Sequence, residues 1–185
     1  MKILLSEAEL HDGVKQLADE ISAVYEGRPL TIVGVLTGSV VLLADLIRLV
    51  DLPLRVGVVQ ASSYRGATTV RGELVINAEM MPDIAGRDVL LIDDIFDTGH
   101  TLVRVVAEMQ KLGPASIRTV VLLRKEGRQE VAMEPDFVGF RIPDEFVVGY
   151  GLDYEDHYRN LPYLAALEEC DLNRPTHEVA AERAW

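Results

Sequence analysis

Three carboxylates that could do chemistry lie within five residues, at Asp93, Asp94 and Asp97. An apolar run, residues 89–92, precedes them, and Thr98-Gly99-His100-Thr101 follows. Like charges at this spacing repel one another unless a cation or hydrogen-bond donors offset them. A helix N-cap would account for only one of the three acidic residues. We therefore interpret the group as functional.

The residues on either side predict the elements that position this group. The run 89–92 is typical of a buried parallel strand, with Asp93 and Asp94 at its carboxyl end. From Thr98 to about residue 112 the apolar residues recur at helical spacing. Ligands of open parallel sheets bind at the carboxyl ends of the strands, and a helix N-terminus binds phosphate. Carboxylates can accept from sugar hydroxyls or hold a divalent metal, so the segment predicts a ribose phosphate site.

Helical and strand patterns alternate along the rest of the chain, which predicts an α/β fold with a mainly parallel sheet. A capping box at Ser6 and Glu9 opens the first helix. The residues that do not fit the alternation, the terminal segments and 73–78, are expected to form a small second lobe over the binding edge. The predicted elements are helices 6–25 and 40–49, strands 30–36, 54–60, 73–78 and 116–123, a loop or flexible hairpin at 61–72, and short strands near 138–140 and 147–150.

Composition limits the classes of protein to consider. The chain has 185 residues, 49% of them hydrophobic, and a formal net charge of −12. We expect one domain, residues 1–170, and a polar, flexible tail, 171–185. The negative charge opposes binding to nucleic acid or anionic membranes, and no apolar stretch is long enough for a membrane span. The single cysteine, Cys170, excludes an intramolecular disulfide, so we expect a cytoplasmic protein.

Two segments resemble one enzyme family. Residues 89–102 match, at every position, the phosphoribosyl-pyrophosphate signature of the type I phosphoribosyltransferases: an apolar strand, two acidic residues, an aliphatic residue, any residue, Asp, Thr or Ser, Gly, any residue and Thr. Residues 135–154 closely resemble the purine-recognition stretch of the hypoxanthine–guanine phosphoribosyltransferases. The resemblance covers roughly residues 5–168, and on it the chain is identified as a member of that purine branch.

The resemblance implies a fold and a reaction. The fold would be a parallel sheet flanked by helices, with a small hood lobe. The reaction would convert hypoxanthine or guanine and 5-phospho-α-D-ribose 1-diphosphate (phosphoribosyl diphosphate) to IMP or GMP and pyrophosphate, in purine salvage. It implies Mg²⁺ as cofactor, small-molecule partners only, and a homodimer or homotetramer.

The resemblance also assigns the acidic segment. Asp93 and Asp94 would bind the ribose hydroxyls directly or through Mg²⁺. The backbone from Asp97 to Thr101, with Thr98, Gly99 and His100 between them, would hold the 5′-phosphate at the helix N-terminus. Asp97 would also be the catalytic general base for the N7 proton of the purine.

The pyrophosphate side of the site is assigned to two loops and an arginine. Leu36, Thr37 and Gly38 would form the pyrophosphate loop, where glycine allows the backbone to approach the ligand closely. Arg159 would supply positive charge. Ser63 and Tyr64 would belong to a mobile loop that closes over the site and excludes water. Many relatives carry a basic residue in place of Thr37 and glycine in place of Arg65, so the chain departs from the family there.

The purine side is assigned to residues further along the chain. Lys125 would donate to the purine 6-oxo group and reject adenine, whose 6-amino group is itself a donor. Phe146 would stack on the base, the Val147 backbone would bond the base edge, and Ile95 would lie beside it. Asp153 would close the site near a second metal ion.

Two other functions use parts of the same pattern. A nucleotide-binding regulator on the phosphoribosyltransferase fold would need a basic face to bind RNA, whereas this chain is strongly acidic. A haloacid-dehalogenase-type phosphatase needs a second carboxylate two residues after the first. Ile95 and Phe96 stand at the two candidate positions.

Overall fold

The computed structural model describes residues 1–63, 74–77, 79–168 and 171. Over these ranges the chain forms three helices: α1 (Glu7–Val24), α2 (Val40–Leu49) and α3 (His100–Gln110). The strands over the same ranges are β1 (Lys2–Leu5), β2 (Leu30–Leu36), β3 (Leu54–Ser63), β4 (Leu74–Asn77), β5 (Asp88–Phe96), β6 (Ser116–Lys125), β7 (Phe137–Ile142), β8 (Val147–Val148) and β9 (Leu164–Ala166).

The central sheet has six strands in the order β4-β3-β2-β5-β6-β7. Five of them are parallel, and β4 pairs antiparallel with β3 at the edge. The apolar runs of β2, β5 and β6 are buried on both faces, as expected for strands covered by helices on both sides. The predicted α/β fold with a mainly parallel sheet is therefore confirmed.

The helices cover the two faces of this sheet separately. Leu10 and Leu17 of α1 and Leu46 of α2 belong to the larger core cluster, while Leu102 and Met109 of α3 belong to a second cluster on the opposite face. The α1 capping box is formed as predicted. No helix in the described part of the chain is long and apolar enough to cross a bilayer.

A second, three-stranded antiparallel sheet has the order β1-β9-β8. It joins the two ends of the described chain, since Lys2 and Val147 both pair with Ala166. The terminal segments thus take part in a small second sheet, although the short strands β1 and β9 were not predicted. That this sheet forms a lobe over the binding edge stays a prediction. The assignment of residues 73–78 to that lobe was wrong, because Leu74–Asn77 pairs with β3 at the edge of the central sheet.

Several predicted boundaries also shift. The strand β5 runs on to Phe96 instead of ending at residue 92, so Asp93 and Asp94 lie inside it. Its pairing with β6 continues from Asp93 through Phe96. This is a case where pairing with a neighbour overrides local propensity. The helix α3 begins at His100 instead of residue 98 and ends at Gln110. Residues 61–63 extend β3. The remainder of the predicted loop, 64–72, and the tail beyond 171 lie outside the described residues.

Candidate active site

A cleft of about 440 Å³ opens where β2 and β5 end. Three segments that are far apart in sequence form its walls: the turn after β2, the end of β5 with the loop into α3, and the segment after β8. Of the residues predicted from the sequence, the cleft is lined by Leu36, Thr37, Gly38, Asp93, Asp94, Ile95, Asp97, Thr98, Gly99, Thr101, Asp153 and Arg159. The side chain of Ser63 and all of Tyr64 lie outside the described residues.

The acidic pair is buried at the base of this cleft. Asp93 is 8% exposed, and its Oδ1 accepts from the Asp94 backbone N–H at 3.0 Å, while Asp94 Oδ1 accepts from that of Ile95 at 2.8 Å. Burial raises the pKa of Asp93 well above its usual range, and the adjacent charge of Asp94 raises it further. Burial also raises the pKa of Asp94, which the positive charge of Arg159 partly opposes. The pair therefore favours a cation or hydroxyl donors in the cleft.

The loop from Asp97 into α3 has the geometry of an anion site. Gly99 is the N-cap residue of α3 and has φ 88°, in the left-handed region that favours glycine. Its Cα also faces Phe96 and Val131 so closely that a Cβ would overlap both side chains. The first N–H groups of a helix have no intrahelical acceptor, and the helix dipole favours negative charge there. This end of the cleft can therefore bind a phosphate.

The turn after β2 packs directly on the acidic pair. The Leu36–Thr37 peptide bond is cis, and the Cα of Gly38 faces Asp94 so closely that a Cβ would overlap the carboxylate. Ser39 begins α2 with its hydroxyl turned back to donate to the Val35 carbonyl at 2.6 Å. The glycine thus allows this backbone to border the same cleft as the carboxylates.

Arg159 lines the cleft and pairs with residues of its third wall. Its Nη1 donates to the Gly151 carbonyl at 2.8 Å, and its Nη2 lies 2.8 Å from Asp153 Oδ1. Gly151 has φ 101°, and a Cβ there would overlap the carbonyl oxygen of Gly38. The guanidinium therefore fixes the segment after β8 internally, and that segment meets the turn after β2 where Gly151 faces Gly38.

Of the residues predicted to bind the purine, Lys125 lies at the Asp97 end of the cleft. Lys125 Nζ lies 3.7 Å from Asp97 Oδ2 and 3.4 Å from Asp144 Oδ1. The ring of Phe146 is 48% exposed and meets Tyr154 edge-to-face, with centroids 5.5 Å apart. Val147 is buried in β8. These three predicted residues do not line the cleft itself, but Lys125 borders it through Asp97.

His100, predicted to help bind the 5′-phosphate, is not among the residues that line the cleft. Its Nε2 lies 2.9 Å from Glu130 Oε2, and the backbone N–H of Glu130 donates to the Thr98 carbonyl at 3.1 Å. The imidazole therefore joins the start of α3 to the loop between β6 and β7.

Sequence reasoning missed two charged residues of this region, Arg128 and Asp144. Arg128 Nε donates to Asp97 Oδ1 at 3.0 Å and lies 3.6 Å from Asp144 Oδ1. Both follow strands that end at the same edge of the sheet as β5. The only sequence signal was that position after a strand, which many surface charges share.

The cleft offers two neighbouring carboxylates, Asp93 and Asp94, for a divalent cation. Among the residues that the structure describes, no three His, Cys, Asp or Glu side chains converge as a metal-binding group. Mg²⁺, however, is usually held by one or two carboxylates together with waters and substrate phosphates. The buried pair Asp93 and Asp94, whose raised pKa values favour a nearby cation, fits that mode of binding. Asp153 is engaged by Arg159.

Comparison with known proteins agrees with this geometry. The family model for the phosphoribosyl transferase domain matches residues 2–155. The hypoxanthine-guanine phosphoribosyltransferase of Staphylococcus aureus is 41% identical over 167 residues, which are 90% of this chain and 93% of that protein. A crystal structure of a hypoxanthine phosphoribosyltransferase from Staphylococcus aureus has a TM-score of 0.87 and 39% identity, covering 95% of each chain.

A longer relative is also similar. The bifunctional protein TilS/HprT of Listeria innocua is 43% identical over 167 residues, covering 90% of this chain. This chain spans about a quarter of that protein's length, 26%. The family match, the similarity along nearly the whole Staphylococcus aureus protein and the shared fold agree. The chain therefore belongs to the phosphoribosyltransferase family, in the branch of the hypoxanthine–guanine phosphoribosyltransferases.

Proposed function

We propose that this chain transfers the 5-phosphoribosyl group of phosphoribosyl diphosphate to N9 of hypoxanthine or guanine, releasing pyrophosphate. The observation that carries the proposal is the pair of Lys125 and Asp97, an ammonium and a carboxylate 3.7 Å apart at one end of the cleft. A 6-oxopurine presents an acceptor, O6, beside N7, which loses its proton when N9 is ribosylated. The pair offers a donor and an acceptor in matching order.

This pairing also accounts for base selectivity. The side chain of Lys125 is only 11% exposed, so its ammonium would meet the 6-position of the base where little water can relieve a mismatch. Adenine presents an amino group there, and the resulting donor–donor contact is costly. Phe146, half exposed beside Tyr154, offers a ring face for the base, with the Val147 backbone at the base edge and Ile95 beside the cleft.

The phosphoribosyl group occupies the rest of the cleft in this proposal. Its 5′-phosphate would accept from the backbone N–H groups of 98–101 and from the hydroxyls of Thr98 and Thr101. The ribose hydroxyls would donate to Asp93 and Asp94, whose burial disfavours two unpaired negative charges. These contacts orient the anomeric carbon toward the base.

The leaving diphosphate lies on the opposite side. The backbone of Leu36, Thr37 and Gly38 borders that side of the cleft, and Arg159 provides the nearest guanidinium. Asp93 and Asp94, with Asp153 for a second ion, would hold Mg²⁺, which would supply positive charge to the diphosphate that leaves the anomeric carbon. Asp97 takes the N7 proton as general base. Ser63 and Tyr64 are proposed to close over the reacting centre and exclude water.

The proposal extends to assembly and location. The family to which the chain belongs supports a homodimer or homotetramer that acts on small molecules. The single cysteine, Cys170, supports a location in the cytoplasm. Light scattering of the purified protein measures the oligomeric state.

Turnover tests the function directly. Phosphoribosyl diphosphate and Mg²⁺ are supplied with hypoxanthine, guanine, xanthine, adenine or uracil, one base at a time. We expect nucleotide from hypoxanthine or guanine and none from adenine or uracil. Binding of the diphosphate without turnover of any base would indicate a regulator instead of an enzyme.

A variant tests the 6-oxo contact separately. Lys125→Ala should raise KM for 6-oxopurines, because it removes the donor to O6. Lys111→Ala is the matched control, since Lys111 is exposed and pairs with Glu108 on its own helix end. Equal KM for hypoxanthine in Lys125→Ala and the parent would contradict the contact.

A further inference from the structure

Two carboxylates and two cations form a closed ring beside the proposed purine site. Asp97 Oδ1 accepts from Arg128 Nε at 3.0 Å, and Asp97 Oδ2 lies 3.7 Å from Lys125 Nζ. Asp144 Oδ1 faces the same two cations, at 3.4 Å from Lys125 Nζ and 3.6 Å from Arg128 Nε. Each carboxylate thus contacts both cations. We refer to Asp97, Lys125, Arg128 and Asp144 as the charge ring.

We propose that Arg128 is a positioning residue for Asp97: it binds one carboxylate oxygen, Oδ1, and thereby directs the other, Oδ2, toward Lys125 and the N7 edge of the base. The inference rests on the proposed function, in which Asp97 accepts the N7 proton. It adds to that function a residue that touches neither substrate in the proposed arrangement.

The two oxygens of Asp97 have different surroundings, which supports this assignment. A carboxylate without a fixed partner rotates about its Cβ–Cγ bond and offers either oxygen. The Arg128 hydrogen bond is the shorter of the two contacts and joins charged groups, a type about twice as strong as a neutral hydrogen bond. Oδ1 is therefore held by Arg128, and Oδ2 remains beside the ammonium that the 6-oxo group would meet.

Arg128 is itself held where it can do this. The loop between β6 and β7 carries Arg128 and contacts residues on both sides of Gly99. The N–H of Glu130 donates to the Thr98 carbonyl at 3.1 Å, and Glu130 Oε2 lies 2.9 Å from His100 Nε2. Val131 packs against Gly99. The two loops are thus fixed relative to each other, and the Arg128–Asp97 distance follows from that contact.

The exposure of the charge ring indicates that it orients Asp97 and contributes little to the stability of the fold. The side chains of Arg128, Asp97 and Asp144 are 45%, 38% and 50% exposed, and exposed ion pairs contribute little to folding. Their effect on turnover can be larger, because displacing a reacting group by about 1 Å costs about 100-fold in rate. Substituting Arg128 should therefore change catalysis much more than stability.

The first experiment is steady-state kinetics of Arg128→Gln with hypoxanthine and phosphoribosyl diphosphate. We expect kcat to fall by about tenfold to 100-fold, with KM for phosphoribosyl diphosphate within about twofold of the parent and an unchanged thermal midpoint. Arg128→Lys, which keeps the charge, should restore part of kcat. Arg48→Gln is the control, because Arg48 is 80% exposed and pairs with Asp45 on its own helix.

A double-mutant cycle tests whether Arg128 acts through Asp97. In the Asp97→Asn background, Arg128→Gln should change kcat by less than about twofold, because its target is already lost. Multiplicative losses in the double variant would overturn the inference, as would a kcat of Arg128→Gln equal to that of the Arg48→Gln control. An increase confined to KM would also overturn it and would make Arg128 a substrate contact.

These outcomes are separable from those of the proposed function. If the parent protein makes no nucleotide, the proposed function fails before Arg128 is tested. If the parent turns over and Asp97→Asn does so equally, the general-base role of Asp97 fails, and the positioning role of Arg128 fails with it. If Asp97→Asn is impaired and Arg128→Gln is not, only the inference about Arg128 fails.

Discussion

Gly38 and Asp94 are in such close contact that no side chain fits between them. The Cα of Gly38, in the turn after β2, faces the Asp94 carboxylate at the end of β5, and a Cβ would overlap it. The two walls of the cleft can therefore approach this closely only because residue 38 has no Cβ atom.

Gly38→Ala tests this contact. The added methyl group must displace either the turn or the carboxylate, so we expect turnover to fall by about 100-fold while the protein remains folded. Gly86→Ala is the control, because a Cβ there meets nothing within 4 Å although its φ of 65° disfavours alanine. That control should lose stability and keep turnover. Parent-like turnover in Gly38→Ala would show that the contact is not required.

Asp93→Asn tests the charge of the buried pair. The pKa of Asp93 is raised in the folded protein, mainly by burial. The group therefore favours folding below its unfolded pKa, near 3.8, and this contribution is lost as the pH rises through the raised value. We expect Asp93→Asn to have a higher thermal midpoint than the parent at pH 7, with a difference that shrinks toward pH 4.

Added Mg²⁺ provides a second readout for the same variant. A cation beside the pair offsets its charge, so millimolar Mg²⁺ with phosphoribosyl diphosphate should raise the thermal midpoint of the parent more than that of Asp93→Asn. Asp51→Asn, at an exposed position, is the matched control. Equal shifts of the thermal midpoint in Asp93→Asn and Asp51→Asn would show that Asp93 does not contribute to the metal site.

Arg159→Lys tests the guanidinium that lines the cleft. Arginine reaches the Gly151 carbonyl and Asp153 with two nitrogens, each at 2.8 Å, and a single ammonium cannot reproduce that geometry. We expect KM for phosphoribosyl diphosphate to rise about tenfold or more, since a hydrogen bond to a charged group contributes about 1.5–3 kcal/mol. Arg48→Lys should behave as the parent, and an unchanged KM in Arg159→Lys would place the arginine outside the diphosphate site.

Two tyrosine substitutions should change stability in opposite directions. Tyr25 is fully buried, and its hydroxyl has no hydrogen-bond partner in the described structure, so Tyr25→Phe should stabilise the fold by about 1 kcal/mol. Tyr150 donates to Asp45 Oδ2 at 2.6 Å, so Tyr150→Phe should destabilise it by about 1 kcal/mol. Urea denaturation of both variants measures the change in the free energy of unfolding. Changes of the same sign would contradict the different hydrogen bonding of the two hydroxyls.

Local sequence patterns determined most of the architecture. The buried strands and the three helices were predictable because burial on one or two faces leaves a periodic or continuous apolar pattern. The acidic segment and the glycine at position 99 were also recognisable, because the helix N-terminus that follows them is a local feature. The strands β1 and β9 were not predictable, since each is only three or four residues long and forms by pairing with the other end of the chain.

Only the tertiary structure decided which charges meet. Lys125 ends β6, while Asp97, Arg128 and Asp144 follow β5, β6 and β7. The four side chains come together because these strands end at one edge of a parallel sheet. Local patterns carry no information on such pairings, since an exposed arginine after a strand has the same local sequence signal whether or not a carboxylate faces it. Likewise, the sequence alone identified Asp94 as acidic and Gly38 as a turn residue, whereas the packing of β2 beside β5 put them in contact.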